Sequence, residues 1–360
     1  MRMKGRLFGN LVSLGKMNVV LFTFATVAFL AAPAGAAVQN AYMVTPLVSD
    51  NGVPGTTVDP HLVNAWGLVA GPTSPWWVAD NGVDMSTLYT ATGTKPSLEV
   101  AVAGAPTGVV FNGVSGVFLI GTATARFIFS TEGGMILGWA PGSTSATVMV
   151  DRSGFGAVYK GLAIATTATG PQLYATDFVN GQVDVFSSTW TMVATLGGFV
   201  DPKLPAGYAP FGIQTIGNRI FVTYGKQIPG DTDEAHGQGF GFVDAFDFDG
   251  NFLVRVAQHG QLNAPWGLAW APAGFGRFSG DLLVGNFADG HINAYEEMAN
   301  GHFGFRGFLQ TGDGMALSID GLWAIQFGNG APNNGPMNTL FFTAGPNDEA
   351  NGLFGTITVA

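Results

Sequence analysis

The chain has 360 residues, of which 47% are hydrophobic and 11% charged, and its formal net charge at pH 7 is −10. This composition excludes a disordered or tail-like protein, and the acidic excess argues against a nucleic-acid partner, which would require clustered Lys and Arg. Disulfides and a lipid-modified cysteine are excluded because the chain has no Cys. The 54 glycines and 29 phenylalanines indicate many turns between short buried strands, as in all-β proteins.

The first 36 residues have the pattern of a secretory signal peptide. Four basic residues precede Met17, an apolar run covers 17–33, and Ala34-Gly35-Ala36 fits a signal-peptidase site. The apolar run is short for a membrane span. We therefore expect cleavage after Ala36 and an exported protein, periplasmic or extracellular, with no membrane span in its mature form.

A repeated segment, an apolar or aromatic stretch around a glycine, opens six units along 38–360. The opening glycines are Gly67, Gly108, Gly161, Gly212, Gly267 and Gly321, at intervals of 41, 53, 51, 55 and 54 residues. Each interval suits one four-stranded blade of a β-propeller. The sequence thus predicts a single all-β domain over 38–360, a six-bladed β-propeller with no long helix.

Strand and turn signals follow each opening glycine. In residues 172–187, for example, Asp177, Asn180 and Gly181 separate two short apolar β-forming runs. Fourth strands are predicted at 146–150, 191–196 and 252–257. The last unit ends after its third strand, so we expect residues 41–48 to add the outer strand of the sixth blade and close the circle.

These units resemble the NHL-type propeller repeat. The best matches are WWVADNG, LYATDF and LLVGNFADGHINAY, while Gly133-Gly134 and Gly345-Pro346 depart from the repeat's turn. Residues 41–360 also resemble a family of exported bacterial propeller proteins, some of which carry a PEP-CTERM sorting tail, through phrases such as NAWGLV, NAPWGLAWAP and GPNDEANGLFGTI. The resemblance implies the NHL-like fold and export but supplies no chemistry. We expect no sorting tail here, since the last residues are predicted as a strand.

One residue per unit stands at the end of the second strand, where it could face the channel. These residues are Asp80, Glu132, Asp177, Tyr224, Asn286 and Gly345. Oxygen ligands suit Ca²⁺, so Asp80, Glu132, Asp177 and Asn286 are candidate ligands of a channel metal. Alternatively, each Asp or Asn caps its own turn through backbone hydrogen bonds. No cofactor is required by the sequence, and Ca²⁺ is the one candidate.

A second set precedes the opening glycines and could bind a ligand at the channel mouth. It comprises Trp66, Thr107, Lys160, Phe211, Trp266 and Asp320. Aromatic side chains with a charged pair could bind a sugar or another flat ligand by stacking. Alternatively, the aromatic residues pack between blades.

Two acidic loops accompany these sets. Residues 226–239 form an insertion with Asp231, Asp233, Glu234 and His236, which could bind Ca²⁺, overhang the channel or simply be solvated, because it lacks full calcium-loop spacing. Residues 347–349 form a similar acidic turn.

Common catalytic motifs are missing, including G-x-S-x-G, H-E-x-x-H and the phosphate-binding P-loop. This favours an exported, non-catalytic binding or scaffold propeller. We expect it to be a monomer whose partner is a small molecule, a carbohydrate or an extracellular protein. The alternative is a calcium-dependent hydrolase or lactonase using the channel carboxylates. Convergence of those carboxylates would separate the two, since the fold alone does not decide function.

Overall fold

The computed structural model describes residues 40–360, so the predicted signal peptide, 1–36, lies outside the described residues. Short apolar runs punctuated by glycine turns form β-sheets throughout this part of the chain. Three single-turn 3-10 helices, Asn81–Val83, Ser153–Phe155 and Gly276–Phe278, are its only helices. None of the helices found over 40–360 is long and apolar enough to cross a bilayer.

The sheets are arranged as successive blades in chain order. Two strands, β1 (Tyr42–Ser49) and β2 (Thr57–Val58), precede the first blade in the chain. The first blade contains β3 (Ala65–Ala70), β4 (Trp76–Asp80), β5 (Met85–Tyr89) and β6 (Val100–Ala101). The second contains β7 (Pro106–Phe111), β10 (Phe127–Thr131), β11 (Met135–Trp139) and β12 (Thr147–Asp151), with a small hairpin of β8 (Leu119–Ile120) and β9 (Ala123–Thr124) between its first two strands. The third contains β13 (Tyr159–Thr167), β14 (Gly170–Asp177) and β15 (Gln182–Ser187).

The remaining three blades continue this order. The fourth contains β16 (Tyr208–Ile216), β17 (Arg219–Gln227), β19 (Phe242–Phe246) and β20 (Phe252–Gln258), with β18 (Glu234–Ala235) paired to the end of β17. The fifth contains β21 (Pro265–Trp270), β22 (Leu282–Asn286), β23 (Ile292–Glu297) and β24 (Phe303–Phe308). The sixth contains β25 (Leu322–Phe327), β26 (Leu340–Ala344) and β27 (Leu353–Val359). The pairings within the blades are antiparallel, except that the short β2 pairs parallel with β1. The prediction of a six-bladed all-β propeller is confirmed.

The N-terminal strand closes the circle, as predicted. β1 pairs antiparallel with β27, from Tyr42 opposite Val359 to Ser49 opposite Leu353, and so becomes the fourth strand of the last blade. The first and last parts of the described chain therefore share one sheet, which leaves no open seam between first and last blades.

One predicted outer strand is replaced by a looser connection. Residues 191–196 are predicted as the fourth strand of the third blade, but their pairing with β15 is limited to an isolated bridge between Phe186 and Met192, with 2.8 Å hydrogen bonds from Ser187 N to Thr191 O and from Val193 N to Val185 O. The prediction of a regular strand is wrong. The segment is mostly exposed, and Leu196 is 89% exposed, so it has no buried face to fix its pairing.

The opening glycines allow the inner strands of adjacent blades to approach each other closely. A Cβ atom at Gly67 would lie 2.4 Å from Thr107 O, and one at Gly212 would lie 2.2 Å from Trp266 O. Both carbonyls belong to the next blade. Only a residue without a side chain fits such a contact, which explains why the sequence repeats a glycine there.

The sixth unit departs from this pattern, and its predicted opening glycine is wrong. A Cβ atom added at Gly267 would lie 2.5 Å from Trp323 O. This is the same kind of contact as the one between Gly212 and Trp266 O. Trp323-Ala324 in β25 therefore corresponds to Trp266-Gly267 in β21. Gly321 instead lies in the preceding turn with φ of +64°. The glycine was misassigned because the sixth unit has alanine, Ala324, where the other five units have the opening glycine.

Each interface between neighbouring blades has its own apolar core. Between the first and second blades, for example, Trp77 stacks on Phe127 with ring centroids 3.9 Å apart and also contacts Trp139. The sixth blade packs on the first through a core that includes Trp76 and Phe341. Both Trp76 and Trp77 are buried in these cores. The packing leaves only about 30 Å³ of free space at the waist of the channel between the six inner strands.

Candidate functional site

An aromatic plug lies above the waist, at the ends of the inner strands where the opening segments begin. Trp323 is its centre: its ring centroid is 3.6 Å from that of Trp66 and 3.9 Å from that of Phe287, both in stacked arrangements. Phe211 and Trp266 approach Trp323 edge-on, at 5.9 and 5.8 Å. The plug gathers side chains from the first, fourth, fifth and sixth blades, and it forms the floor of one channel mouth.

Lys160 lies beside this plug with only 1% of its surface exposed. Its Nζ is 2.6 Å from a Glu132 oxygen, 3.0 Å from an Asp233 oxygen and 5.2 Å from the Trp66 ring centroid. Burial alone would lower the pKa of Lys160, but the nearby carboxylates, Glu132 first among them, raise it above its usual range. The ammonium group is therefore charged at neutral pH.

The insertion in the fourth blade supplies part of the opposite wall. β18 folds back on β17, with Gln227 opposite Glu234. This pairing holds Glu234 almost fully buried, while His236 Nε2 lies 3.5 Å from its carboxylate. The hydrogen bond with Glu234 raises the pKa of His236, although burial opposes it. Of the interpretations left open for this loop, the geometry matches a segment that overhangs the channel.

The acidic turn after β26 completes the wall. Asn347, Asp348 and Glu349 are three successive non-glycine residues with left-handed φ values of 61°, 50° and 63°. Such a backbone is strained for residues with a side chain. It is fixed by a 2.8 Å hydrogen bond from Asn347 N to Asp320 Oδ2 and a 3.1 Å bond from Glu349 N to Gly345 O. The strained turn directs two carboxylates toward the mouth.

Glu349 in this wall has a perturbed carboxyl group. Its burial and the nearby Glu234 carboxylate raise the pKa of Glu349 to about 7, although Lys160 partly offsets them. At neutral pH this side chain is divided between its protonated and ionised forms. It can therefore accept or donate a proton near physiological pH.

These elements enclose a cavity of about 170 Å³, which we call the mouth pocket. Its lining residues are Trp66, Lys160, Asp233, Glu234, His236, Phe287, Asp348 and Glu349. Two of the predicted ligand-binding residues, Trp66 and Lys160, lie in it. Phe211 and Trp266 lie in the plug beneath, and Trp266 Nε1 donates a 2.9 Å hydrogen bond to Lys160 O.

Asp320 does not belong to this set, and its predicted alignment with the other mouth residues is wrong. It precedes β25 and accepts the hydrogen bond from Asn347 N, so it supports the acidic turn. Trp323 occupies the equivalent position in the sixth blade. Thr107 holds the corresponding position in the second blade. Its hydroxyl donates a 2.7 Å hydrogen bond to Tyr159 O and so links the second blade to the third.

The predicted metal ligands mostly bond to groups of their own blades. Asp80 Oδ2 accepts a 2.7 Å hydrogen bond from Thr87 N, and Asp177 accepts bonds from Val158 N and the Asn180 side chain at 3.2 and 2.8 Å. Burial raises the pKa of both carboxyl groups. Asn286 Nδ2 donates to Gln261 O at 2.8 Å and to Asp289 Oδ1 at 3.0 Å.

Glu132 is engaged differently from the other three. One of its oxygens accepts from Lys160 and the other accepts a 2.9 Å bond from Asn81 Nδ2. Asp80, Glu132 and Asp177 do not bring their oxygens within 4.8 Å of one another. Over residues 40–360 the one group of three acidic or histidine side chains that does so is Asp59, His61 and Glu99, where Lys95 bonds to both carboxylates.

A larger depression of about 800 Å³ lies elsewhere, between the outer strands β20 and β24. Its Arg255 is bonded to the buried Asp244, and Phe252 and Phe305 are exposed along its rim. It is an open groove on the outer edge of two blades. The mouth pocket, although smaller, is the place where buried charges and aromatic faces converge.

No protein-family model matches the chain. Two similar sequences are the uncharacterized proteins R648 and L690 of Acanthamoeba polyphaga mimivirus. The first is 32% identical over 334 residues, which cover 88% of this chain and 80% of the viral protein, and the second is 30% identical over 340 residues, which cover 88% and 85%. The chain belongs to the family of these viral proteins.

Solved structures share the fold of this chain. A streptogramin B lyase superimposes with a TM-score of 0.52 at 10% identity, over 89% of this chain and 98% of the lyase. A Bacteroides thetaiotaomicron protein of unknown function superimposes with a TM-score of 0.58 at 12% identity, over 89% and 76%. At these identities the likeness shows the fold alone.

Sequence reasoning missed Trp323, Phe287 and Glu349 as members of this site. Trp323 was hidden by the alanine in its repeat. The acidic turn was recognised, but its approach to Lys160 depends on how the sixth blade faces the third across the channel. A run of Asn-Asp-Glu after a buried strand was the available signal.

Proposed function

We propose that the protein is an exported, non-catalytic binding propeller that holds a small ligand in the mouth pocket. The observation that carries this proposal is the convergence of Trp66 and Phe287 with Lys160, Glu234 and Glu349 around one cavity. At about 170 Å³ the cavity is below the roughly 300–1,000 Å³ of drug-sized sites. It therefore suits a molecule of few heavy atoms.

Ligand binding can be tested by tryptophan fluorescence, because Trp66 lines the pocket. A panel of neutral sugars, small alcohols, amino acids and amines would be titrated into the protein. We expect at least one class to change the emission and Phe287→Ala to weaken its binding. Phe305→Ala, in the outer groove, is the matched control. A panel without any response, or binding lost only with Phe305→Ala, would refute the proposal.

Export forms the second half of the proposal and is supported by the pattern of residues 1–36. The resemblance to exported bacterial propellers, some with PEP-CTERM tails, points the same way. Expression of the full chain in a bacterial host should yield protein outside the cytoplasm that begins at Ala37. Protein retained in the cytoplasm with an intact N-terminus would count against export. We also propose that the exported form is a monomer, which light scattering can check.

The alternative proposal is a calcium-dependent hydrolase or lactonase using Asp80, Glu132, Asp177 and Asn286. The positions of these residues at the ends of second strands support it, whereas their bonds within their own blades and to Lys160 favour the binding protein. Calorimetric titration with Ca²⁺ separates the two. One ion bound per chain, lost in Asp177→Asn but kept in Asp313→Asn on the surface, would favour the metalloenzyme.

A further inference from the structure

We infer that the mouth pocket is built for a small organic cation, an ammonium compound that also carries a hydrogen-bond acceptor. The inference rests on the proposed function and narrows it, because it names the chemical class of the ligand. Four observations on the pocket lead to it.

The first observation is the charge balance around the cavity. Five carboxylates surround it, those of Glu132, Asp233, Glu234, Asp348 and Glu349, against two basic groups, Lys160 and His236. Glu132 and Asp233 bond directly to Lys160, and Glu234 lies 3.5 Å from His236, so among the described residues Asp348 and the partly ionised Glu349 have no directly bonded cation. The mouth stays negative whether or not His236 is protonated. An anionic ligand would be repelled and a cation attracted.

The second observation is the position of a cation that the pocket already contains. The Lys160 ammonium lies 5.2 Å from the Trp66 ring centroid, within the range of a cation–π interaction. Phe287 lines the same cavity. Trp66 is only 2% exposed and is stacked on Trp323, so a ligand ammonium would approach the ring of Phe287, which is 8% exposed, with carboxylates on its other side.

The third observation is an unpaired donor in the wall. Trp66 is 2% exposed, and its indole Nε1–H has no acceptor among residues 40–360. A buried donor without a partner costs about 1–3 kcal/mol. A ligand hydroxyl or carbonyl oxygen that reached this nitrogen would satisfy it, which favours an amino alcohol over a simple alkylammonium ion.

The fourth observation separates an organic cation from a metal ion. The cavity is partly aromatic, and no three of its carboxylate and imidazole groups bring ligand atoms within 4.8 Å of one another. A divalent metal would need several oxygens converging at 2–2.6 Å from one point. A bulky, weakly hydrated cation does not need such a cage.

Choline and its uncharged isostere 3,3-dimethylbutan-1-ol provide a direct test, since they share size and hydroxyl group and differ in charge. Calorimetry at low ionic strength should give at least about tenfold tighter binding of choline. Ethanolamine should also bind. Glu234→Gln and the more exposed variant Asp348→Asn should each weaken choline but not the isostere. Glu296→Gln, at an exposed carboxylate in the fifth blade, should change neither.

The outcomes distinguish this inference from the proposed function. Equal affinity for choline and the isostere, or binding of neutral sugars without either ammonium compound, would overturn the cation while the binding propeller stands. Failure of every cation and every neutral probe would overturn both. Choline binding that is unaffected by Glu234→Gln and Asp348→Asn, in variants shown by circular dichroism to be folded, would place the cation outside the mouth pocket and refute the inference.

Discussion

The Lys160 ammonium lies 2.6 Å from the Glu132 carboxylate, and this contact joins the third blade to the second at the channel mouth. Lys160 is almost fully buried, whereas Glu132 is 26% exposed and Asp233, its other partner, 64% exposed. The pair therefore combines a desolvated cation with carboxylates that still reach water. Removing the cation leaves several acidic groups close together without a counter-charge.

Replacement of Lys160 by Met tests this dependence. We expect the free energy of unfolding at pH 7 to fall by about 2–3 kcal/mol, below the usual cost of breaking a fully buried pair because Asp233 can be rehydrated. The loss should shrink at pH 5, where the orphaned carboxylates can take up protons. Urea denaturation measures both values. Lys203→Met, at an exposed lysine, is the control and should be neutral; an equally large loss there would undermine the assignment.

Glu349 should make stability depend on pH in the opposite sense from an ion-paired carboxylate. Its pKa in the folded protein, about 7, exceeds the ordinary 4.5, so the folded state holds the proton more tightly than the unfolded state. The resulting penalty is absent below pH 4.5, grows between 4.5 and 7, and is complete above 7. Glu349→Gln should thus stabilise the protein by up to about 3 kcal/mol at pH 8 and have little effect at pH 4.5.

The matched control for Glu349 is Glu296→Gln, since Glu296 is 57% exposed and contacts Arg306 only at 3.9 Å. Denaturation curves of both variants at the two pH values complete the experiment. If Glu349→Gln stabilised the protein equally at pH 4.5 and pH 8, the effect would come from side-chain packing and not from the ionisation of Glu349.

Much of the fold was predictable because propeller blades repeat a local pattern. The second strand of the first blade, residues 76–80, and the closure by residues 41–48 follow from apolar runs and turn residues. The site was less predictable. Lys160 and Trp66 could be chosen from their positions before the opening glycines, but Glu234 and Glu349 reach them from the fourth and sixth blades. No local pattern encodes a contact across the channel.

The alignment error in the sixth unit shows where repeat-based reasoning fails. Gly321 was the nearest glycine to the expected position, and it lies in a left-handed turn. The true equivalent, Ala324, carries a methyl group and is invisible to a search for glycine. Because Trp323 was missed with it, the centre of the aromatic plug was not predicted.

Trp323 should be the most sensitive residue of the plug. It stacks on Trp66 and Phe287, and its Nε1 donates a 3.0 Å hydrogen bond to Asn64 Oδ1. Trp323→Ala should lower the free energy of unfolding by about 3–5 kcal/mol and open the channel waist to solvent. Trp190→Ala, at a partly buried ring beside the small hairpin, should cost less. Chemical denaturation measures the loss of unfolding free energy in both variants. A smaller loss for Trp323→Ala than for Trp190→Ala would contradict the central role of Trp323 in the plug.

The glycine contacts between inner strands give the sharpest test of the repeat. Gly212→Ala would place a Cβ 2.2 Å from Trp266 O, a backbone atom that cannot rotate away, so the blades must separate. We expect a loss of about 3 kcal/mol or more in the free energy of unfolding. Gly154→Ala is the matched control, because nothing lies within 4 Å of its added Cβ and its φ is not left-handed. It should be neutral or slightly stabilising. If Gly212→Ala and Gly154→Ala had the same free energy of unfolding, the close approach of neighbouring blades would not be the reason for glycine at position 212.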